Sequence, residues 1–250
     1  MKTVIIANWK MNPTTLEDAK HLLQASRKSI EKLRGSSLVL AVPTVFLHSL
    51  ANSYRGTRIA FGAQNIHTEP GGSFTGEVSI SQVKDAGATH VIIGHAERRA
   101  LGETDEDVQK KVQAVFSSRM IPIICVGEKA RDALGEHLQF VKKQLKTALA
   151  DVPAQKLGKL IIAYEPVWAI GADTAMKPHD MHEMSIFIRK TLFDIYGKPG
   201  LSVKILYGGS IDESNAVDML REGDVQGLLV GRASADPIRF THLLNALAKA

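Results

Sequence analysis

The sequence predicts a closed (β/α)8 barrel, and three observations carry that prediction. Short β-branched runs recur eight times, several of them apolar on both faces as buried parallel strands are. Segments with helical periodicity lie between most of these runs. The starts of the runs fall on average about 32 residues apart, so eight strand–helix units fill the 250 residues. A doubly wound open sheet is the structural rival, and it usually carries fewer strands at this length. No linker rich in Pro, Gly or Ser divides the chain, which reads as one domain over residues 1–250.

The first run, Thr3–Ala7, leads into Thr15–Arg34, where Leu16, Ala19, Leu22, Leu23, Ile30 and Leu33 share one stripe and Gly35 supplies the stop. Ser37–Val42 and Arg58–Ala63 follow as strands, with no helix assigned between them. Ser79-Ile80-Ser81-Gln82 fits a capping box opening a helix that ends near Gly87. His90–Ile93 and Ile121–Val126 are strands flanking the helix Asp105–Arg119, and Arg131–Ala150 is the helix after them. Leu160–Tyr164, Val203–Tyr207 and Gly227–Val230 complete the strands, with helices at Pro178–Tyr196, Asp212–Glu222 and Pro237–Lys249.

Composition narrows the class. Hydrophobic residues make up 44% and charged residues 23%, which is globular and argues against disorder. A lone cysteine, Cys125, excludes an internal disulfide framework and the usual four-ligand zinc sites. No apolar run approaches the ~20 residues that span a bilayer, and Val4-Ile5-Ile6-Ala7 is too short for a signal core. A cytoplasmic protein without membrane contact is the expectation. The net charge is +5, yet no block of five basic residues occurs and aromatics are only 6%. Nucleic-acid binding is therefore not expected, while an anionic small substrate is compatible.

In barrels of this kind chemistry sits on loops after the strands, and the uncommon polar residues gather there. Asn8-Trp9-Lys10-Met11-Asn12 follows the first run, Gly94-His95-Ala96-Glu97 the fourth, and Glu165-Pro166 the sixth. Gly208-Gly209-Ser210 follows the seventh and Gly231-Arg232-Ala233-Ser234 the eighth. Each has a bland reading: a lone His is more often a hydrogen-bonded structural residue, a lone Lys a solvated one, and Gly-Gly-Ser a turn. Glu165 is harder to dismiss, because it continues an apolar run where an unpaired carboxylate is costly to bury. A carboxylate, an imidazole and a lysine around one rim describe proton abstraction next to a carbonyl. Gly171, Gly209, Ser210 and Gly231 allow backbone N–H groups to approach an anion, as phosphate sites after strands seven and eight do.

At these residues the chain resembles the triosephosphate isomerase family. Ala163-Tyr164-Glu165-Pro166-Val167-Trp168-Ala169-Ile170-Gly171 is highly specific to it, and Asn8-Trp9-Lys10-Met11-Asn12 nearly so. Gln64-Asn65, Phe74-Thr75-Gly76-Glu77, Cys125-Val126-Gly127-Glu128 and Tyr207-Gly208-Gly209-Ser210 also fit. The resemblance implies a cofactor-free and metal-free interconversion of D-glyceraldehyde 3-phosphate and dihydroxyacetone phosphate through an enediolate, a step of glycolysis and gluconeogenesis. It implies Glu165 as the base, a neutral His95 moving protons between the oxygens, and Lys10 stabilising developing charge. It also implies Asn8 as an orienting group, with Glu97 supporting Lys10. Gly171, Ser210, Gly231 and Arg232 would bind phosphate, and Pro166 to about Lys177 would form a lid. A homodimer through loop 64–79 is implied as well, with Thr75 reaching the partner near Asn8 and Lys10. Phe74, an aromatic between glycines on that loop, is the residue-level sign of an interface.

Three positions depart from the family's usual sequence. Ala96 stands where a Ser commonly follows the His, so Glu165 is expected to rest differently. Ala172-Asp173-Thr174 replaces Thr-Gly-Lys in the lid, which restricts its backbone. Arg232 replaces a second Gly, and its guanidinium is expected to face solvent. Another phosphosugar barrel accounts for the glycine loops but not for Lys10, His95 and Glu165 together. A non-enzymatic binding role would be favoured if one of those three were missing, and none is. Metal-dependent hydrolysis through His179 and His182 is weaker still, since both open a helix expected to lie away from the rim.

Overall fold

In the computed structural model, which describes residues 3–170 and 175–250, eight parallel strands close into a barrel in sequence order. Strands β1 (Val4–Asn8), β2 (Ser37–Ala41), β3 (Ile59–Ala63) and β4 (Ala88–Ile93) form one half. Strands β5 (Ile121–Val126), β6 (Ile161–Tyr164), β7 (Lys204–Tyr207) and β8 (Gly227–Val230) form the other, and β8 pairs back onto β1 with Val4 opposite Gly227. Successive residues point to opposite faces of a strand, so each strand feeds two cores. Ile6, Val39, Ile92, Ile123, Ala163, Leu206 and Leu229 fill the barrel interior. Ile5, Leu38, Val91, Ile124, Ile162, Ile205 and Leu228 pack outward beneath the helices. Burial on both faces explains why the strands read as continuous apolar runs.

Among the described residues the helices are α1 (Leu16–Ile30), α2 (Thr44–Ser53), α3 (Ile80–Asp85), α4 (Ala96–Ala100), α5 (Asp105–Ser117), α6 (Glu136–Ala148), α7 (Pro178–Tyr196), α8 (Ala216–Glu222) and α9 (Pro237–Lys249). The capping box read at Ser79 is present, with Gln82 accepting from the Ser79 N–H at 2.8 Å. Thr104 and Asp107 form a second one ahead of α5. Two helices were not expected from the sequence. α2 buries only Leu47 and Leu50 and follows Pro43 without a side-chain cap, so its periodicity is faint. α4 buries no residue at all; His95 caps it.

Several predicted boundaries move for local reasons. The helix expected over Arg131–Ala150 begins at Glu136, because Asp132 draws the N–H groups of Leu134, Glu136 and His137 onto its carboxylate and Gly135 enters with φ 78°. Those bonds hold the exposed Asp132 carboxyl well below the usual carboxylate range. The helix expected over Asp212–Glu222 begins at Ala216, since Asp212 and Asn215 close the preceding turn, the Asp212 N–H donating to Asn215 Oδ1 at 3.1 Å. The long first helix stops at Ile30, and β4 starts two residues earlier than its apolar run, at Ala88.

Candidate active site

The strand exits read from the sequence converge on one cavity of about 380 Å³ at the C-terminal mouth of the barrel. Asn8, Lys10, His95, Glu97, Glu165, Ser210, Gly231 and Arg232 all contribute to its lining. Gly171 of the proposed phosphate site and Ala172, Asp173 and Thr174 of the lid lie outside the described residues.

Glu165 follows β6 directly, and its backbone is fixed from both neighbouring strands. Its N–H donates to Val126 O at 2.8 Å, and the Gly208 N–H donates to Tyr164 O at 2.8 Å. The carboxylate is only 2% exposed. Its Oε2 accepts from the backbone N–H of Ala96 at 3.2 Å, and its Oε1 lies 3.2 Å from His95 Nε2. The donor at position 96 is the main-chain N–H, which does not depend on the side chain there. Two glycines make room for the base. A Cβ on Gly208 would lie 2.9 Å from Glu165 Cγ, and one on Gly127 would lie 1.8 Å from Glu165 O. Any side chain at either position would displace Glu165.

His95 is 6% exposed and sits at the N-cap of α4. Its Nδ1 accepts from the Glu97 N–H at 3.2 Å. A ring nitrogen that accepts carries no proton, so the neutral imidazole bears its hydrogen on Nε2, facing Glu165 and the cavity. One backbone contact therefore fixes both the tautomer and the direction of the donor.

Lys10 occupies a left-handed conformation with φ 53°, uncommon for a residue with a side chain. Two contacts hold it there: its N–H donates to Asn8 Oδ1 at 3.1 Å, and Gln64 Nε2 donates to Lys10 O at 2.8 Å. Gln64 also donates to Ala41 O at 2.9 Å, tying the first strand exit to the second. Lys10 Nζ then reaches Glu97 Oε1 at 2.6 Å. Ser234 is fully buried beneath this loop, donating from its hydroxyl toward Gly231 O at 2.7 Å and lying 3.3 Å from Asn8 O, which joins the first and eighth strand exits.

The glycine-rich half of the cavity is built from Gly209, Ser210, Gly231, Arg232 and Ala233. Asn215 Nδ2 donates to Ser210 O at 3.1 Å and steadies that loop. Arg232 is exposed to solvent while still contributing to the lining. Sequence reading missed Arg239 and Asp212, which line the same side. Asp212 lies in the turn two residues after Ser210, beyond the glycine motif, whereas Arg239 stands on α9 and only folding brings it near Ser210. It also gave no role to Gln64, Gly208 or Cys125. Cys125 faces the Glu165 carboxylate from inside the barrel; burial first, and the Glu165 charge second, push its thiol well up and keep it protonated. His179, Asp180 and Glu183 cluster at the start of α7 but are absent from the cavity lining.

A closed eight-stranded barrel whose C-terminal rim joins a carboxylate, an imidazole and an ammonium beside a glycine-lined cradle defines an acid–base enzyme acting on a small phosphorylated substrate. The triosephosphate isomerase family model matches residues 3–247. The chain is 37% identical over 246 residues to a triosephosphate isomerase of Endomicrobium trichonymphae, covering 98% of each. It is 40% identical over 250 residues to that of Lactiplantibacillus plantarum, again covering 98% of each. A crystal structure of triosephosphate isomerase from Bartonella henselae superposes with a TM-score of 0.84 at 34% identity, covering 98% of this chain and 99% of that one. The chain belongs to the triosephosphate isomerase family.

Proposed function

We propose that Glu165, His95, Lys10 and Asn8 carry out the family's reaction, the interconversion of D-glyceraldehyde 3-phosphate and dihydroxyacetone phosphate in glycolysis and gluconeogenesis. The observation that carries this assignment is the 3.2 Å approach of Glu165 Oε1 to His95 Nε2 inside a closed rim. A substrate whose two oxygens face His95 would bring a carbon-bound proton to Glu165. The carboxylate removes that proton and returns it to the neighbouring carbon, while the Nε2 proton of the neutral ring polarises the carbonyl and passes between the oxygens. The ammonium of Lys10 stabilises charge developing on the enediolate, with Glu97 orienting it. Asn8 positions the oxygens.

Gly171, Ser210, Gly231 and Arg232 would hold the phosphate, chiefly through backbone amides. Residues from Pro166 to about Lys177 would close over it and exclude water, protecting the enediolate from phosphate loss. At the first hinge, Trp168 Nε1 donates to Glu128 Oε1 at 2.9 Å, and Glu128 also accepts from Tyr164 OH at 2.8 Å. Every proton in this scheme moves between protein and substrate atoms, so it requires no cofactor. Purified, chelator-treated protein is expected to interconvert the two triose phosphates in a coupled assay. A phosphorylated enediolate analogue is expected to bind at least ~10²-fold tighter than substrate. Loss of turnover on chelation, or an analogue binding no better than substrate, would refute the mechanism.

Residues 1–250 are best taken as one barrel domain, since β8 pairs onto β1 and no strand lies outside the ring among the described residues. No described helix is long and apolar enough to cross a membrane; a cytoplasmic setting follows from the reaction assigned. The homodimer reading draws support from apolar side chains left in water. Met11 is 90% exposed and Phe74 remains 43% exposed although it stacks on His67 at 4.1 Å. Gln64, where loop 64–79 begins, binds Lys10 O, so this loop departs beside Met11. Val45 and Leu101, 83% and 77% exposed, extend the set. Sedimentation velocity is expected to give a dimer, and Phe74→Asp a monomer with sharply reduced turnover. A monomeric parent protein would sink this reading.

A further inference from the structure

The opposite mouth of the barrel holds a second polar cavity, unconnected with the reaction. Along β4 the inward positions alternate as His90 and Ile92, and along β7 as Lys204 and Leu206. Ile92 and Leu206 belong to the interior cluster, so an imidazole and an ammonium occupy the layer below it, where barrels usually carry bulky apolar side chains. A cavity of about 180 Å³ opens there. Its polar lining comprises Ser37, Thr57, Arg58, His90, Lys159 and Lys204, and its walls Val4, Val39, Ile121 and Ile161. Among the described residues no Asp or Glu lines it.

Among the described residues no ion pair compensates the positive charges lining this mouth. Lys159 and Lys204 make no ion pair or side-chain hydrogen bond among the described residues. Arg58 donates through Nη2 to Ile30 O at 3.0 Å and Leu33 O at 2.6 Å, carbonyls that orient the guanidinium without neutralising it. Three cations, of which Arg58 is held in place, thus line a space large enough for one tetrahedral oxyanion and a few waters of ~30 Å³ each. The two hydroxyls add donors of the kind such an ion uses.

We propose that the N-terminal mouth of the barrel is a second anion site, taking a phosphate dianion at the end of the molecule remote from Glu165. His90 supports it: burial first and the nearby Lys204 ammonium second push this imidazole down to about 4. An anion seated among Arg58, Lys159 and Lys204 would offset both effects and report its own arrival through the ring.

The test follows the His90 ring protons by NMR while inorganic phosphate is added at constant ionic strength. A phosphorylated enediolate analogue keeps the C-terminal cavity occupied throughout. A saturable shift is expected, weakened at least about tenfold in Lys159→Met and in Lys204→Met. Lys159 lies on an exposed turn, so its replacement should leave folding and isomerase turnover intact even if the half-buried change at Lys204 does not. Glycerol phosphate in a parallel titration separates the sources: weaker binding than inorganic phosphate identifies the free ion, and equal or tighter binding identifies a monoester. A His90 shift that does not saturate, or an affinity in both Met variants equal to that of the parent protein, would overturn the proposal.

Discussion

Glu165→Asp is expected to lower kcat about 10²–10³-fold while KM changes little. Deleting one methylene withdraws the carboxylate by about one C–C bond, ~1.5 Å, and misplacement by 1 Å can cost roughly 10²-fold. The site gives the shorter side chain no means of compensation. Tyr164 and Glu165 are locked to β5 and β7 through the 2.8 Å bonds at Val126 O and Gly208 N, so the backbone cannot advance toward the substrate. The Ala96 N–H and His95 Nε2 are equally fixed, and each lies 3.2 Å from a carboxylate oxygen it would lose. The phosphate cradle is untouched, which is why KM should hold and kcat should fall. Steady-state kinetics in both directions would check this, with circular dichroism verifying the fold. Unchanged turnover would break the assignment of Glu165 as the base.

Lys10→Met is expected to lower kcat/KM by about 10²–10³-fold, comparable to loss of an oxyanion-stabilising donor. Methionine keeps most of the length and the apolar stem, so the main change is the lost charge. The loop itself should survive: the Asn8 and Gln64 contacts are to the Lys10 backbone, at 3.1 and 2.8 Å. Removing the ammonium also leaves Glu97 without the partner it holds at 2.6 Å, facing the reacting oxygens as a bare carboxylate. The double variant Lys10→Met with Glu97→Gln should therefore recover part of the loss, because a like charge near the enediolate is removed. A fall of less than tenfold in Lys10→Met would mean that the cation is not part of transition-state stabilisation.

Much of this arrangement was legible before folding because of where the chain is apolar. Parallel strands buried on both faces leave continuous hydrophobic runs, and the ends of those runs mark the rim. Glu165 stood out because a carboxylate directly follows Ile161-Ile162-Ala163-Tyr164. The helices α2 and α4 escaped notice for the converse reason. α4 buries nothing, so no periodic stripe announces it, and it exists as the continuation of a His95 cap whose other task is to present Nε2. The early portion of the helix expected from Arg131 was lost to Asp132, whose short side chain competes for backbone N–H groups.

The order of strands, the eightfold repeat and the identities of Asn8, Lys10, His95 and Glu165 were determined by local sequence, since burial pattern and strand exits are local properties. Only the tertiary structure decided which groups touch. Gln64 reaches back to Lys10, Gly208 clears space for Glu165, Ala96 offers its N–H to the base, and Arg239 joins the cavity from α9. The same closure that gathers a catalytic rim at one end leaves His90 and Lys204 facing each other at the other. These pairings depend on barrel closure, which sets residues dozens of positions apart at hydrogen-bond distance, and no pattern along the chain encodes that distance.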